Sequence, residues 1–299
     1  MISTIQIEQV LANCAKPFQL DYIAGTLFIG NGNNGSIMIS HGFTESQKKY
    51  EELIYYFLQE GYCVCIHDHK NHGHSRKTPQ KYTHIDRFQE YVEDLEKVVQ
   101  EKLLTMPKPY YIFAHSMGGL IASLFLEQHP GVFEKAILSS PMFEVNRSGI
   151  PYGLAKAVAN AFCILGKGES PLPGQGSFSS KENFEGSAAT CYERYKIYFE
   201  KQLQDPFLQS GGPTYQWTKE SFRACEQGIK NASSISIPVL LFQADKDDFV
   251  LPKGQEEFIK RLKNGKLVFV PNTKHEIYLS EDKILFDYLQ KIFNFLETV

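Results

Sequence analysis

Three side chains far apart in this sequence have the types and spacing needed to cleave an acyl bond. The first is Ser116, in the run Tyr-Tyr-Ile-Phe-Ala-His-Ser-Met-Gly-Gly over 110–119. A short apolar stretch, Tyr110 to Phe113, reads as a buried strand. After the serine, Leu120, Ile121, Leu124, Phe125 and Leu126 fall at helical spacing. Ser116 is thereby expected on a sharp strand-to-helix turn, which lifts its hydroxyl out of the sheet and aims a helix N-terminus at it. The pattern is Ala-x-Ser-x-Gly, one methyl from Gly-x-Ser-x-Gly, with small residues where backbones crowd.

A serine hydroxyl is a weak nucleophile at neutral pH. It needs an imidazole to take its proton and a carboxylate to orient that imidazole. On a strand–turn–helix site the order along the chain is serine, acid, histidine. The strand Pro238–Gln243 is followed by Ala-Asp-Lys-Asp-Asp-Phe-Val, so Asp245, Asp247 and Asp248 are the candidate acids. Asp247 is favoured, because the loop reaches it while Val250 still tucks back under the sheet. The next strand, Leu267–Val270, leads to His275, which follows every other histidine in the chain. Two backbone N–H groups are needed for the oxyanion. Met117, just after the serine, supplies one. Phe43, in the loop His41-Gly42-Phe43 after the first core strand, supplies the other.

The elements that must carry these groups alternate between strand and helix. Ser36–Ser40, Tyr62–His67, Tyr110–Phe113 and Lys135–Ser139 read as strands, with amphipathic helices over Tyr50–Glu60 and Phe88–Leu104. Such alternation implies a doubly wound, mostly parallel sheet with ligands at the carboxyl ends of its strands. The rhythm stops at 142–235, a segment rich in Gly, Pro, Ser and aromatics, and resumes through a terminal helix at Lys283–Phe295. The expected division is a core first part at 1–141, a lid insertion at 142–235, and a core second part at 236–299.

The chain has 299 residues, 42% of them hydrophobic, and a net charge of −3. It lacks the basic face of a nucleic-acid binder. Six cysteines are scattered without metal spacing, and Cys63 and Cys65 are expected as buried thiols on one strand face. No signal-like segment or run of ~18 apolar residues is present. The expectation is a soluble cytoplasmic protein, at most resting on a membrane surface, with no obligate protein partner. Residues 67–74 hold four histidines, and His67-x-His69-x-Asn71-His72 approaches the H-x-H-x-D-H pattern of binuclear metallohydrolases. The aspartate of that pattern is asparagine here, and further ligands are scarce. A tight polar loop held by Asp68, with Gly73 at the turn, is the preferred reading, and no metal or other cofactor is expected.

The chain resembles the serine α/β-hydrolases of the lysophospholipase and monoacylglycerol lipase group. The matching segments are Ser-His-Gly-Phe-Thr-Glu-Ser (40–46), Asp-His-Lys-Asn-His-Gly-His-Ser (68–75), Ala-His-Ser-Met-Gly-Gly (114–119), Gln-Ala-Asp-Lys-Asp-Asp-Phe-Val (243–250) and Lys-His-Glu-Ile (274–277). Similarity to the bacterial lysophospholipases extends to Arg-Phe-x-x-Tyr-Val-x-Asp-Leu (87–95), Tyr-Glu-Arg-Tyr (192–195) and Gly-Gly-Pro-Thr-Tyr-Gln-Trp (211–217). The resemblance implies an α/β-hydrolase fold with a helical lid, and cofactor-free hydrolysis of one lipid acyl ester by Ser116, Asp247 and His275. His41, Gly42, His115, Tyr192 and Tyr195 are expected to border the substrate. Arg194 and Lys196 of the insertion read as solvated surface, with a phosphate head group as the alternative partner. Other readings are a monoacylglycerol lipase, a broad esterase or peptidase of the same fold, and a non-catalytic ligand-binding relative.

Overall fold

A computed structural model describes residues 2–298. An eight-stranded sheet runs through it in the order β1-β2-β4-β3-β5-β6-β7-β8. In chain order the elements are α1 (Thr4–Cys14), β1 (Ala15–Leu20), β2 (Ile23–Phe28), β3 (Ser36–Ser40), α2 (Glu51–Gln59) and β4 (Cys63–His67). Then come α3 (Gln89–Glu101), β5 (Tyr110–His115), α4 (Met117–Gln128), β6 (Lys135–Ser139), α5 (Tyr152–Ile164), α6 (Tyr192–Gln204) and α7 (Tyr215–Asn231). The chain ends with β7 (Val239–Ala244), α8 (Pro252–Ile259), β8 (Gly265–Val270) and α9 (Asp282–Glu297).

From β4 to β8 all pairings are parallel, while the hairpin β1–β2 joins antiparallel at β4. The central strands are buried along their whole length, as strands covered on both faces must be. Met38, Cys65, Ile112, Ala114, Leu138 and Leu241 pack under α3, α4 and α8. Ile37, Ile39, Phe113, Ile137, Leu240 and Phe242 pack under α2 and α9 on the opposite face. Cys63 and Cys65 are buried free thiols on one face, as expected.

Helix α1 and the β1–β2 hairpin precede the first strand recognised in the sequence. Asp21 makes their tight turn with φ +52°, a conformation aspartate tolerates better than most residues. The inserted segment between β6 and β7 holds α5, α6 and α7, with helix-free chain between α5 and α6.

Candidate active site

The turn after β5 is strained at one residue. Ser116 has φ +52° and ψ −119°, a conformation non-glycine residues avoid. Its neighbours hold it there. The Ser116 N–H donates to Ser139 O (3.0 Å), and Ser116 O accepts from Gly119 and Met142 N–H, both at 2.9 Å. Gly118 is required by close approach: a Cβ there would lie 2.1 Å from Ser40 O and 2.5 Å from His41 O.

The three expected residues converge. Ser116 Oγ lies 2.8 Å from His275 Nε2, and His275 Nδ1 lies 2.7 Å from Asp247 Oδ2. The carboxylate accepts, so Nδ1 carries the proton and Nε2 is free to receive one. Asp247 Oδ1 accepts the Phe249 and Val250 N–H groups at 2.9 and 3.0 Å. Burial would raise the Asp247 carboxyl, but the His275 ring and these N–H donors outweigh it and hold the group below its usual value. Among the described residues, neither of the other two aspartates bonds His275. Asp245 accepts the Asn272 N–H, and Asp248 is exposed, its carbonyl taken by Asn146. Ser116 and His275 are only 6% and 5% exposed.

Met117 opens α4, so its N–H belongs to a helix N-terminus. Phe43 lies in the loop after β3. Among the described residues, neither N–H has a protein acceptor.

A buried polar network supports this loop, and the sequence reading did not pick out its centre, Glu45. Glu45 Oε2 accepts the Gly42 N–H (2.6 Å) and the Tyr50 hydroxyl (2.6 Å), while Oε1 accepts from Tyr278 OH (2.9 Å) and Lys49 Nζ (3.0 Å). Lys49 also pairs with Glu276, beside His275. Burial would raise the Glu45 carboxyl, yet Lys49, His115 and the Tyr50 hydroxyl together hold it well below its usual value. One local hint was present: Lys49 stands four residues after Glu45 and pairs with it.

The residues expected to border the substrate are each held by partners within the fold. His115 is buried with Nδ1 3.0 Å from Ser139 O, its ring 4.7 Å from that of His275. Burial pushes its imidazole down to about 3, against the pull of Glu45. His41 turns inward onto His69, ring centroids 4.2 Å apart, and Gly42 is tied to Glu45. Tyr192 and Tyr195 pack on Phe184 of the inserted segment, and the Tyr195 hydroxyl accepts the Asn183 N–H. Among the described residues they make no contact with the Ser116–His275–Asp247 chain. Arg194 is corrected too. Its five N–H donors go to Glu52 (two), Asp282, Ser280 O and Cys191 Sγ, so none is left for a phosphate. Lys196 lies 3.7 Å from Glu200 on the same helix. Two unforeseen aromatics stand closer: Phe249, its ring 5.3 Å from His275, and Trp217 of α7, 4.2 Å from Phe43.

The histidine-rich loop is the tight polar turn expected. Asp68 accepts the Gln47 and His74 N–H groups (2.7 and 2.8 Å), and Gly73 turns at φ +47° where a Cβ would strike Asp68. Among the described residues, its imidazole nitrogens do not gather as metal ligands would; the one grouping of that kind is Cys191, Glu193 and Glu281. That grouping has the Arg194 guanidinium against Cys191 Sγ at 3.8 Å, which disfavours a cation.

A parallel sheet, a strained serine between β5 and α4, and an acid and histidine after β7 and β8 together define the α/β-hydrolase class. A family model described as serine aminopeptidase, S33, matches residues 32–282, and the chain belongs to that family. It is 29% identical over 262 residues to the probable lysophospholipase L2 of Haemophilus influenzae, covering 87% of this chain and 83% of that one. Against lysophospholipase L2 of Escherichia coli it is 31% identical over 257 residues, covering 82% and 75%. A soluble variant of Saccharomyces cerevisiae monoglyceride lipase, solved with a substrate analog, shares the fold with TM-score 0.73 at 19% identity, covering 95% of both chains.

Proposed function

We propose that this protein hydrolyses the single acyl ester of a lysophospholipid through an acyl-enzyme on Ser116. Hydrolysis of carboxylic esters is the chemistry of its lysophospholipase and monoglyceride lipase relatives, and this chain is an ester hydrolase with them. The observation that carries the mechanism is the Ser116–His275–Asp247 hydrogen-bond chain, at 2.8 and 2.7 Å. His275 Nε2 takes the Ser116 proton as Oγ bonds to the acyl carbon. Asp247 keeps the ring in the productive tautomer and stabilises the imidazolium. The Phe43 and Met117 N–H groups receive the oxyanion. As the carbon–oxygen bond to the glycerol side breaks, His275 returns the proton to the leaving oxygen. Water, deprotonated by the same nitrogen, then releases the fatty acid. No step requires a metal or cofactor.

We assign residues 1–141 and 236–299 to the catalytic core and 142–235 to a lid over it. No helix among the described residues is long and apolar enough to cross a membrane. A lipid surface has a natural landing place in the lid instead. Leu154, Val158, Ile164 and Leu165 line one face of α5 and its end, with Ile164 85% and Leu165 71% exposed. The one charged side chain of α5, Lys156, pairs with Glu226 on α7 instead. An uncharged, outward apolar stripe suits the interface of a bilayer. The unpaired cysteines fit a reducing compartment, and we place the protein on the cytoplasmic side of such a surface.

Monoacylglycerol is the competing substrate, supported by the yeast neighbour. Ser116→Ala is the test. It should fold normally, lose labelling by a fluorophosphonate, and lose on the order of 10⁵–10⁶ in kcat. Retained turnover would refute the mechanism. For the wild-type protein, fatty-acid release from lysophosphatidylcholine, monoolein, p-nitrophenyl esters and an aminoacyl amide ranks the substrates. Faster cleavage of monoolein than of lysophospholipid would replace the substrate named here.

A further inference from the structure

Two arginines are buried among the described residues, and their charges are met differently. Arg194 has two carboxylates, Glu52 and Asp282. Arg76, at the end of the histidine-rich loop, is 5% exposed and bonds to none. Its Nη1 donates to Gln209 O at 3.0 Å and its Nη2 to Ser210 Oγ at 2.5 Å, both on the inserted segment. Its Nε is buried and has no acceptor among the described residues. The acids that face it are engaged elsewhere. Asp68 holds the Gln47 and His74 N–H groups, and Asp205 holds the His74 ring and the Phe207 N–H. Burial pulls the Arg76 pKa down, and Asp68, Tyr198 and Asp205 restore only part of it. A cation taken out of water with no anion against it is costly, so this one calls for an anion from outside the chain.

Arg76 stands on the side of the sheet where the reaction takes place. Its loop leaves the carboxyl end of β4, next to β3 and the Phe43 loop, and β3 in turn pairs with β5, which runs into Ser116. The His72 ring lies between. It meets the Phe43 ring at 6.0 Å between centroids. Burial, with His41 and the Arg76 charge behind it, holds the His72 ring well below its usual pKa, so it is neutral. Its Nδ1 lies 2.9 Å from Lys70 O and therefore donates. That leaves Nε2 a bare acceptor, buried and unpartnered among the described residues. A cation lacking an anion thus lies near a nitrogen lacking a donor, and a glycerophosphate carries a phosphate and a hydroxyl. Gln209 and Ser210, which cover Arg76, are partly exposed.

We propose that Arg76 binds the phosphate of the lysophospholipid head group, and so sets a preference for phosphorylated over uncharged glycerol esters. This rests on the reading of the protein as a lysophospholipase. The chemistry recognised is a phosphate on glycerol, carried by the lipid or free in solution. A guanidinium fork matches phosphate oxygens better than a point charge does.

Oleoyl lysophosphatidylcholine and monoolein present the same acyl ester on glycerol and differ in the phosphate. Their kcat/KM values in wild type, Arg76→Gln and Arg76→Lys test the proposal. Arg76→Gln should lower the ratio of lysophosphatidylcholine to monoolein about 10–100-fold, mostly through KM, as loss of a hydrogen bond to a charged group does. Arg76→Lys keeps a point charge without the fork, so its ratio should fall only about two- to fivefold. An equal fall on both substrates in Arg76→Gln would make Arg76 a tie to residues 209 and 210 and overturn the role. Should Arg76→Gln fail to fold, the smaller fall in Arg76→Lys, confined to the phosphorylated substrate, decides, and an unmoved ratio there overturns the role. Glycerol 3-phosphate, assayed as an inhibitor of p-nitrophenyl butyrate hydrolysis, separates the two sources of phosphate. It should compete in wild type and about tenfold more weakly in Arg76→Gln. Inhibition that depends on Arg76 beside an unmoved lipid ratio would mark a site for free phosphate and overturn the head-group role. Wild-type preference for monoolein refutes the lysophospholipid reading, whereas undiminished glycerol 3-phosphate inhibition in Arg76→Gln refutes the Arg76 contact itself.

Discussion

Two helices of the inserted segment, α5 and α6, are thirteen residues each and reverse what their compositions suggest. Helix α6 carries Glu193, Arg194, Lys196, Glu200 and Lys201, yet it is the one bound into the body of the protein. The Arg194 guanidinium is buried. It makes a two-pronged contact with Glu52 of α2 at 2.8 Å, and reaches Asp282 of α9 and Ser280 O at 2.7 Å. The Tyr198 hydroxyl lies 3.2 Å from Ser46 Oγ, and Lys201 pairs with Glu51. Helix α5 is apolar and packs one side on α7, through Tyr152 against Phe222 and Phe162 against Tyr215. Its other side, with Leu154 and Val158, faces out. Side chains that should be inside are outside, and an ionic helix is anchored within. Burial follows from which partners the fold supplies: α6 lies over acids at the ends of α2 and α9, whereas the ring contacts of Tyr152 and Phe162 on α5 go to α7. The exposed stripe on α5 is apolar surface, and the proposed landing place on a lipid is this stripe.

The comparison makes unequal predictions for the two helices. Arg194→Met leaves Glu52 unneutralised and Ser280 O without its donor, so stability should drop by about 3–5 kcal/mol, read by urea unfolding. An Arg194→Met protein as stable as wild type would show that α6 is held by its aromatic side alone. On α5, Leu154→Ser with Ile164→Ser removes apolar surface that touches no core. Stability should stay within about 0.5 kcal/mol and p-nitrophenyl acetate turnover should not change. Binding to phosphatidylethanolamine–phosphatidylglycerol vesicles should weaken about tenfold or more, since each buried Leu or Ile is worth about 1.5–3 kcal/mol. Undiminished binding in co-sedimentation would remove the stripe from any role at a lipid surface.

The same contrast explains what could be read from the residues. The core was legible because it obeys local rules. Continuous apolar runs gave the central strands, small residues around Ser116 gave the strained turn, and chain order led to Asp247 and His275. Asn71, in the histidine-rich loop, sits at φ +62°, a conformation asparagine tolerates better than most residues. The lid was not legible in that way, because its contacts are between side chains remote in sequence. Arg194 read as a free cation and is instead consumed by Glu52, 142 residues away. Tyr192 and Tyr195 read as substrate contacts and instead fill the lid's own packing. Glu45 was passed over because its neighbours in sequence are polar and Tyr278, which helps make its burial possible, comes beside it only in the fold. The first hairpin was missed for a different reason: β1 is half exposed and lacks the apolar run that marked the other strands.

The smallest effect comes from a buried charge in neither lid helix, and it calibrates the other two. Asp94 of α3 is buried, its Oδ1 accepting from Tyr22 OH at 2.6 Å while Oδ2 has no partner. Burial raises this carboxyl from 3.8 to about 6, more than the Tyr22 hydrogen bond lowers it. The sign of the linkage follows. Between those two values the folded chain binds the proton that the unfolded chain has lost, so stability falls as pH rises through that window and stays lower above it. Asp94→Asn keeps an acceptor for Tyr22 without a charge. It should therefore raise stability at pH 7 by about 2 kcal/mol, and the gain should vanish as pH is lowered to 4. Thermal melts of the two proteins across that range measure it. If Asp94→Asn is the less stable protein at pH 7, the Tyr22 contact outweighs desolvation, and the loss at Arg194 would have to be read as broken hydrogen bonds before uncompensated charge.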